Sequence, residues 1–237
     1  MKRIDFESLI LFEDDDYIVV NKPPLISSLD DRNDPINLLS LARDYAENAQ
    51  VCHRLDKETS GAIAIAKNPE AYRALSIQFE NRLVSKTYHA VVDGIHDFKE
   101  KEIDVPILVL GNGSVTININ RGKESNTFVN TLQVYKAHTL LSCHPITGRM
   151  HQIRIHLSHI GTPIIGDTKY GGKPFFLSSI KRKYNLKRYT EEQPLIKRTA
   201  LHSFGLRFEK RDGAEVSVEA PYPKDFNVLL KQLEKNV

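Results

Sequence analysis

The stretch Cys52-His53-Arg54-Leu55-Asp56-Lys57-Glu58-Thr59-Ser60-Gly61 runs directly into the apolar segment Ala62-Ile63-Ala64-Ile65-Ala66. A short, continuous apolar run bounded by turn formers reads as a buried strand. The residues before it place a carboxylate, Asp56, between a basic residue and a Thr-Ser-Gly turn. An acid at the mouth of a buried strand is well placed for chemistry. It also bonds readily to neighbouring backbone N–H groups, so capping the turn is the competing reading. Gly61 fits a position that needs positive φ or close backbone approach.

Working outward, Leu9 to Lys22 reads as strand, acidic turn (Asp14-Asp15-Asp16), strand, with Pro23-Pro24 as the stop. Asp34-Pro35 reads as the N-cap and first position of a helix whose apolar face carries Leu38, Leu39, Leu41, Ala42 and Tyr45. Asn68-Pro69 opens a second helix in the same way, with Tyr72, Leu75 and Phe79 on one side. Lys86 to Gly94 is a strand. Residues 103–144 are β-rich: Val115 to Ile119 alternates, and Phe128–Tyr135 with Thr139–Cys143 suggests a hairpin. Thr147 to Ile160 is a turn entering a helix closed by Gly161. A last helix starts near Lys224 with Phe226, Leu229, Leu230 and Leu233 inward. The expected class is α+β: a mixed, largely antiparallel sheet with flanking helices, in one domain over 1–237.

Composition narrows the function classes. The 237 residues are 41% hydrophobic and 27% charged, as in an ordinary globular protein. No apolar run nears the roughly 20 residues of a membrane helix, and the N-terminus turns acidic too soon for a signal peptide. Two cysteines, Cys52 and Cys143, offer neither a disulfide framework nor a zinc spacing. A cytoplasmic monomer is the expectation. The net charge of +3 is small, but residues 173–198 hold eight basic residues against Glu191 and Glu192. That basic insert, with Lys181, Arg182 and Lys183 at its centre, suits phosphate contacts, though a solvated surface loop reads the same way.

Three further stretches can carry chemistry. Lys86-Thr87-Tyr88 puts a phenol on a strand, where packing is the bland alternative. His144-Pro145-Ile146-Thr147-Gly148-Arg149-Met150-His151-Gln152-Ile153-Arg154-Ile155-His156 is rich in histidine. His151 and His156 are five apart, a poor match to the four-residue spacing of a helical zinc pair, so no metal is expected. Arg149 and Arg154 are forked, permanently charged partners for a carboxylate or phosphate. Gly161 to Gly172 lacks both GxGxxG and GKS/T and reads as a shaped turn.

In order and spacing these stretches resemble the RluA-like RNA pseudouridine synthases. HRLDKETSG resembles that family's HRLD-x-x-TSG, KTYHAVVDG its K-x-Y-x-A-x-V-x-G strand, and PITGRMHQIRIH its P-x-TGR-x-HQIR-x-H. GTPIIGDTKYGG resembles G-x-P-I-x-GD-x-x-YG, and Ala200-Leu201-His202-Ser203 is similar to ALHA. The matches run from about Asn21 to Phe208. Two departures stand out: Leu25 replaces the glycine of Asn-Lys-Pro-x-Gly, and Ser203 replaces the alanine of ALHA. The resemblance implies a cofactor-free enzyme that flips a uridine out of structured RNA. Asp56 would be catalytic, Tyr88 the second active-site residue and Arg154 the partner of Asp56. Arg54 would fill the space left by the flipped base, Leu201 would line the pocket, and Arg149 would contact RNA. No S4 RNA-binding domain is expected before the first strand, and on that expectation RNA affinity is assigned to the catalytic domain and the insert. Two rival readings stay open: a hydrolytic glycosidase pairing Asp56 with Asp167, and a non-catalytic RNA-binding factor.

Overall fold

Proline and asparagine punctuate this chain, and its elements start where they say. The computed structural model describes residues 4–30, 36–111, 113–181, 184–186 and 189–236. These form two compact units, one built from residues 1–88 and 202–223, the other from 89–201 and 224–237.

In the first unit, strands β1 (Ile10–Glu13) and β2 (Tyr17–Lys22) pair antiparallel. The Asp14 carboxylate closes the turn between them by accepting from the Asp16 and Tyr17 N–H groups. Strand β2 pairs antiparallel with β4 (Ser60–Ala66), every residue of which is buried. β3 (Gln50–Val51) adds to β4 in the same sense. Ala62, Ala64 and Ala66 share one face of β4 by the two-residue period. Their small side chains pack in a core with Ala71 and Leu75 of helix α2 (Pro69–Glu80). Asn68 caps α2 by accepting from the Ala71 N–H, with Pro69 in the first turn. β11 (Leu201–Glu209) runs parallel to β4 and antiparallel to β12 (Glu215–Glu219). The first residues of β5 (Ser85–Asp93) follow β11 in strand order.

The second unit takes the rest of β5 and then, in strand order, β10 (His138–Pro145), β9 (Asn126–Val134) and β6 (Lys101–Asp104). The expected β9–β10 hairpin is present, with a register shift between Leu140 and Leu141. β7 (Ile107–Val109) and β8 (Val115–Ile117) form a separate ribbon. Ile107 and Val115 pack on Ile155 of helix α3 (Gln152–His159). The final helix, α4 (Lys224–Lys235), buries Phe226, Leu229, Leu230 and Leu233 as its spacing demands. The α+β class and the largely antiparallel pairing agree with the sequence reading.

Two expectations shift. The first helix, α1, spans Leu38–Tyr45 and its cap is Asn37, not Asp34. The Asn37 side chain accepts from the Ser40 N–H while Ser40 Oγ accepts from the Asn37 N–H, a reciprocal box that fixes the start. Asp34 and Pro35 lie outside the described residues. The strand expected over Val115–Ile119 stops at Ile117, because the Asn118 side chain accepts from the Asn120 and Arg121 N–H groups and turns the chain.

Leu25, the residue standing where the resembling motif has glycine, has φ of 67° and is 57% exposed. A left-handed residue with a Cβ costs roughly 1–2 kcal/mol, part of which glycine returns in chain entropy. Leu25→Gly should therefore raise the urea unfolding free energy by about 0.5–1 kcal/mol, and β-branched Leu25→Val should lower it.

Candidate active site

Asp56 precedes β4 in a loop held by main-chain clamps. Leu55 is buried; its N–H donates to Ser28 Oγ at 3.0 Å, and the same hydroxyl donates to the Leu55 carbonyl at 2.9 Å. The Lys57 carbonyl accepts from the Leu25 N–H at 2.8 Å and from Lys22 Nζ at 3.3 Å. Lys22 is fully buried, and its ammonium also donates to the Pro23 and Ile26 carbonyls. Buried ammonium groups need such acceptors, and here they tie the loop after β2 to the residue next to Asp56. Thr59 N–H donates to the Asp56 carbonyl at 3.0 Å, so the turn closes through the backbone. Ser60, which reads from sequence as a capping residue, belongs to β4, and its hydroxyl bonds His202 Nδ1 at 2.9 Å. Asp56 itself is half-buried and Arg54 is exposed.

Tyr88 sits on β5 at 9% exposure. Burial pushes its phenol up to about 12; the nearby Asp56 charge adds to the rise, and a hydrogen bond with Ser203 works against it. Tyr88 therefore keeps its proton at neutral pH. Asp56, Tyr88 and Ser203 belong to one unit. Lys86, two residues earlier on the same side of β5, is brought down to about 8 by burial and then by Arg82. The K-x-Y pattern marks Lys86 in the sequence, and the burial of β5 explains its lowered amine.

Arg154 lies in the second unit, on α3, and is 8% exposed. Its Nε and Nη2 form a fork with both oxygens of Asp167, at 2.7 and 2.8 Å. Its guanidinium stands 5.2 Å over the Tyr170 ring, and Tyr170 in turn bonds His151 Nδ1 at 2.8 Å. With both oxygens held and a 1%-exposed side chain, Asp167 is a structural partner of Arg154. That occupation weakens the glycosidase reading, which needed a second working acid. Arg149 is half-buried and donates from Nε to the Glu124 carbonyl.

The basic run needs one correction. Arg198 is 2% exposed, so it is no part of a solvated patch. It forks onto Asp225 at 2.8 and 3.0 Å and donates from Nη1 to the Thr199 and Leu201 carbonyls. Burial pushes the Asp225 carboxyl up, but the bonds and charge of Arg198 outweigh it and hold the group below its ordinary value. Leu201, buried at the start of β11, is thus braced by a residue that its sequence context assigns to the surface. Lys181 is exposed; Arg182 and Lys183 lie outside the described residues.

Residues 16–159 match the RNA pseudouridylate synthase family. This chain belongs to that family. Over 237 residues it is 34% identical to the ribosomal large subunit pseudouridine synthase C of Buchnera aphidicola, covering 97% of this chain and 72% of that one. It is 41% identical over 175 residues to an RNA pseudouridine synthase of Helicobacter pylori, covering 73% and 66%. Among solved structures, human RNA pseudouridylate synthase domain containing 1 superposes with a TM-score of 0.68 at 27% identity, covering 94% and 87%. Human RNA pseudouridylate synthase domain containing 4 shares the fold with a TM-score of 0.75 over 97% and 94%. The protein is an RNA pseudouridine synthase, an isomerase acting on RNA.

One histidine of this synthase, His156, serves its structure. His156 is fully buried, with Nδ1 accepting from Thr127 Oγ1 and Nε2 donating to the Val105 carbonyl. Burial brings it down to about 4 from 6.5. The folded protein thus resists a proton that the unfolded chain takes up, so stability is lost as pH falls from about 6.5 to 4. In His156→Gln the slope of unfolding free energy against pH in that window should shrink by up to about one proton. Urea midpoints measured across the window check this.

Proposed function

We propose that this synthase isomerises uridines of large-subunit ribosomal RNA, with Asp56 as the group that acts on the sugar. The substrate is supported by the name of the relative that is 34% identical over nearly the whole chain. The role of Asp56 is supported by one observation above others: a half-buried carboxylate, on a loop clamped on both sides, bears on a buried, protonated tyrosine. The two units work as one catalytic domain in this reading, because the family match runs through both.

The reaction breaks the bond from the anomeric carbon to N1 of uracil, turns the base and joins the same carbon to C5. The C5 proton leaves and N1 gains one, so no redox partner is needed. The target nucleotide is first flipped from its stack, and Arg54 takes up the space and charge left behind. Asp56, ionised, acts at the sugar, either by attack on the anomeric carbon or by assisting glycal formation. Tyr88 stacks on the base and takes part in moving its proton. Arg154, rigidly held by Asp167, is assigned to orient Asp56, a role carried by the HQIR motif. Leu201 lines the base pocket. Arg149 and the basic insert meet phosphates. Among the described residues no helix is long and apolar enough to cross a membrane. A cytoplasmic monomer working directly on RNA is the simplest arrangement.

Asp56→Asn and Asp56→Ala should form no pseudouridine on cellular RNA, as nucleoside mass spectrometry reads it, while unfolding at the wild-type urea midpoint. Full turnover in either variant sinks the assignment. Arg154→Lys keeps charge but loses the fork, and should lower turnover by at least about tenfold.

Charge reversal at Lys181, Arg182 and Lys183 tests the insert. It should weaken RNA binding and reduce the salt slope by roughly 0.7 to 0.9 for each phosphate that is no longer neutralised. Unchanged affinity and slope in filter binding would leave the run as solvated surface.

A further inference from the structure

The ladder between β3 and β4 ends in a side chain. Gln50 and Val51 pair with Ala66 and Ile65, and the next N–H, that of Cys52, donates to the Ala64 carbonyl at 3.0 Å. Residues opposed in this way in an antiparallel pair exchange both bonds, which would send the Ala64 N–H to the Cys52 carbonyl. It goes instead to Nε2 of His53, at 3.1 Å. The imidazole stands in for a main-chain carbonyl, and the chain leaves the sheet at that point.

The bond is needed where it lies. Ala64 is fully buried, in a strand flanked by β2 on its other side, so its N–H must find an acceptor inside the protein. A backbone N–H only donates. Nε2 therefore offers its lone pair, and the ring is neutral with its proton on Nδ1. Shielding from water, and then the charge of Lys86, bring His53 down to about 3 from 6.5, which agrees with a neutral ring. The ring also lies against Phe79 of α2, with centroids 4.7 Å apart, so packing limits its rotation.

His53 is three residues from Asp56. The anchors of the loop described above, at Leu55, Lys57 and Thr59, act around and after Asp56; His53 supplies the anchor at the entry. We propose that His53 is a positioning residue for the isomerisation: its Nε2 replaces the Cys52 carbonyl on β4, ends the β3 ladder and sets the point from which the chain carries Asp56. The proposal rests on the assignment of Asp56 made above. In the sequence His53 is only the residue that opens HRLD; the ladder gives it a task.

Two substitutions separate the acceptor from the ring. His53→Phe keeps a ring against Phe79 and removes the acceptor, whereas His53→Gln removes the ring and keeps an acceptor. In His53→Phe, turnover on RNA should fall at least about tenfold with KM unchanged, because a small misplacement of a reacting group is costly in rate. The Ala64 amide should exchange with solvent faster in the same variant, as NMR reads it without needing activity. His53→Gln should recover most of both. Tyr17→Phe serves as the stability control, since it removes the bond to the Ala71 carbonyl from the same core. It should unfold at lower urea and keep wild-type turnover. Wild-type turnover in His53→Phe overturns the proposal. So does a His53→Gln enzyme whose Ala64 amide is protected again but whose turnover stays low. A Tyr17→Phe enzyme as slow as His53→Phe also overturns it, because the loss would then be one of stability. Nitrogen NMR that finds the proton on Nε2 of His53 does the same. Activity in Asp56→Asn instead overturns the assignment of Asp56, and leaves the exchange of the Ala64 amide untouched.

Discussion

The backbone contact between Gly61 and Ser203 organises the first unit. Gly61 has φ of 113°, and no side chain fits between it and the opposing carbonyl. Strands that touch this closely transmit position with little play. On one side of the contact lies the loop that carries Asp56. On the other lies the strand whose Ser203 and His202 reach back, one toward Ala62 and the other toward Ser60. The parallel register of β4 and β11 is short, only His202 with Ser60 and Ser203 with Gly61. Its shortness suits its task, which is to fix one point and then let β11 pair with β12.

Much of this could be read in the chain. Asn68-Pro69 announced α2, and the four-residue spacing of Phe226, Leu230 and their neighbours announced α4, because caps and apolar stripes are local signals. The motif order carried the family, and with it the expectation for Asp56 and Tyr88. What could not be read depends on partners far apart in sequence. Arg198 looked like one more charge in a basic run, and only its fork with Asp225, in another helix, buries it. Asp167 looked like a free acid until Arg154 took both oxygens. Asn37 displaced Asp34 as a cap through a reciprocal bond with Ser40, a distinction that preference tables for cap residues do not make.

Burial also separates residues that sequence treats alike. Cys52 and Cys143 are both pushed up to about 12 by burial, so neither thiol is a ready nucleophile. The histidines divide by surroundings: His156 is locked neutral between Thr127 and Val105, while His151 takes a left-handed backbone at the start of α3 and supports Tyr170. The histidine-rich stretch is a set of braces around Arg154 and the ribbon beside it.

The basic insert is closed at its base by the Phe175–Ile196 bridge and anchored just beyond by Arg198 on Asp225. Lengthening a loop whose ends are already fixed costs little, about 0.6 kcal/mol per doubling. The segment between those two residues can therefore be exchanged, extended or recharged in evolution with small effect on folding. It behaves as a cassette whose length and charge can change at little cost to folding.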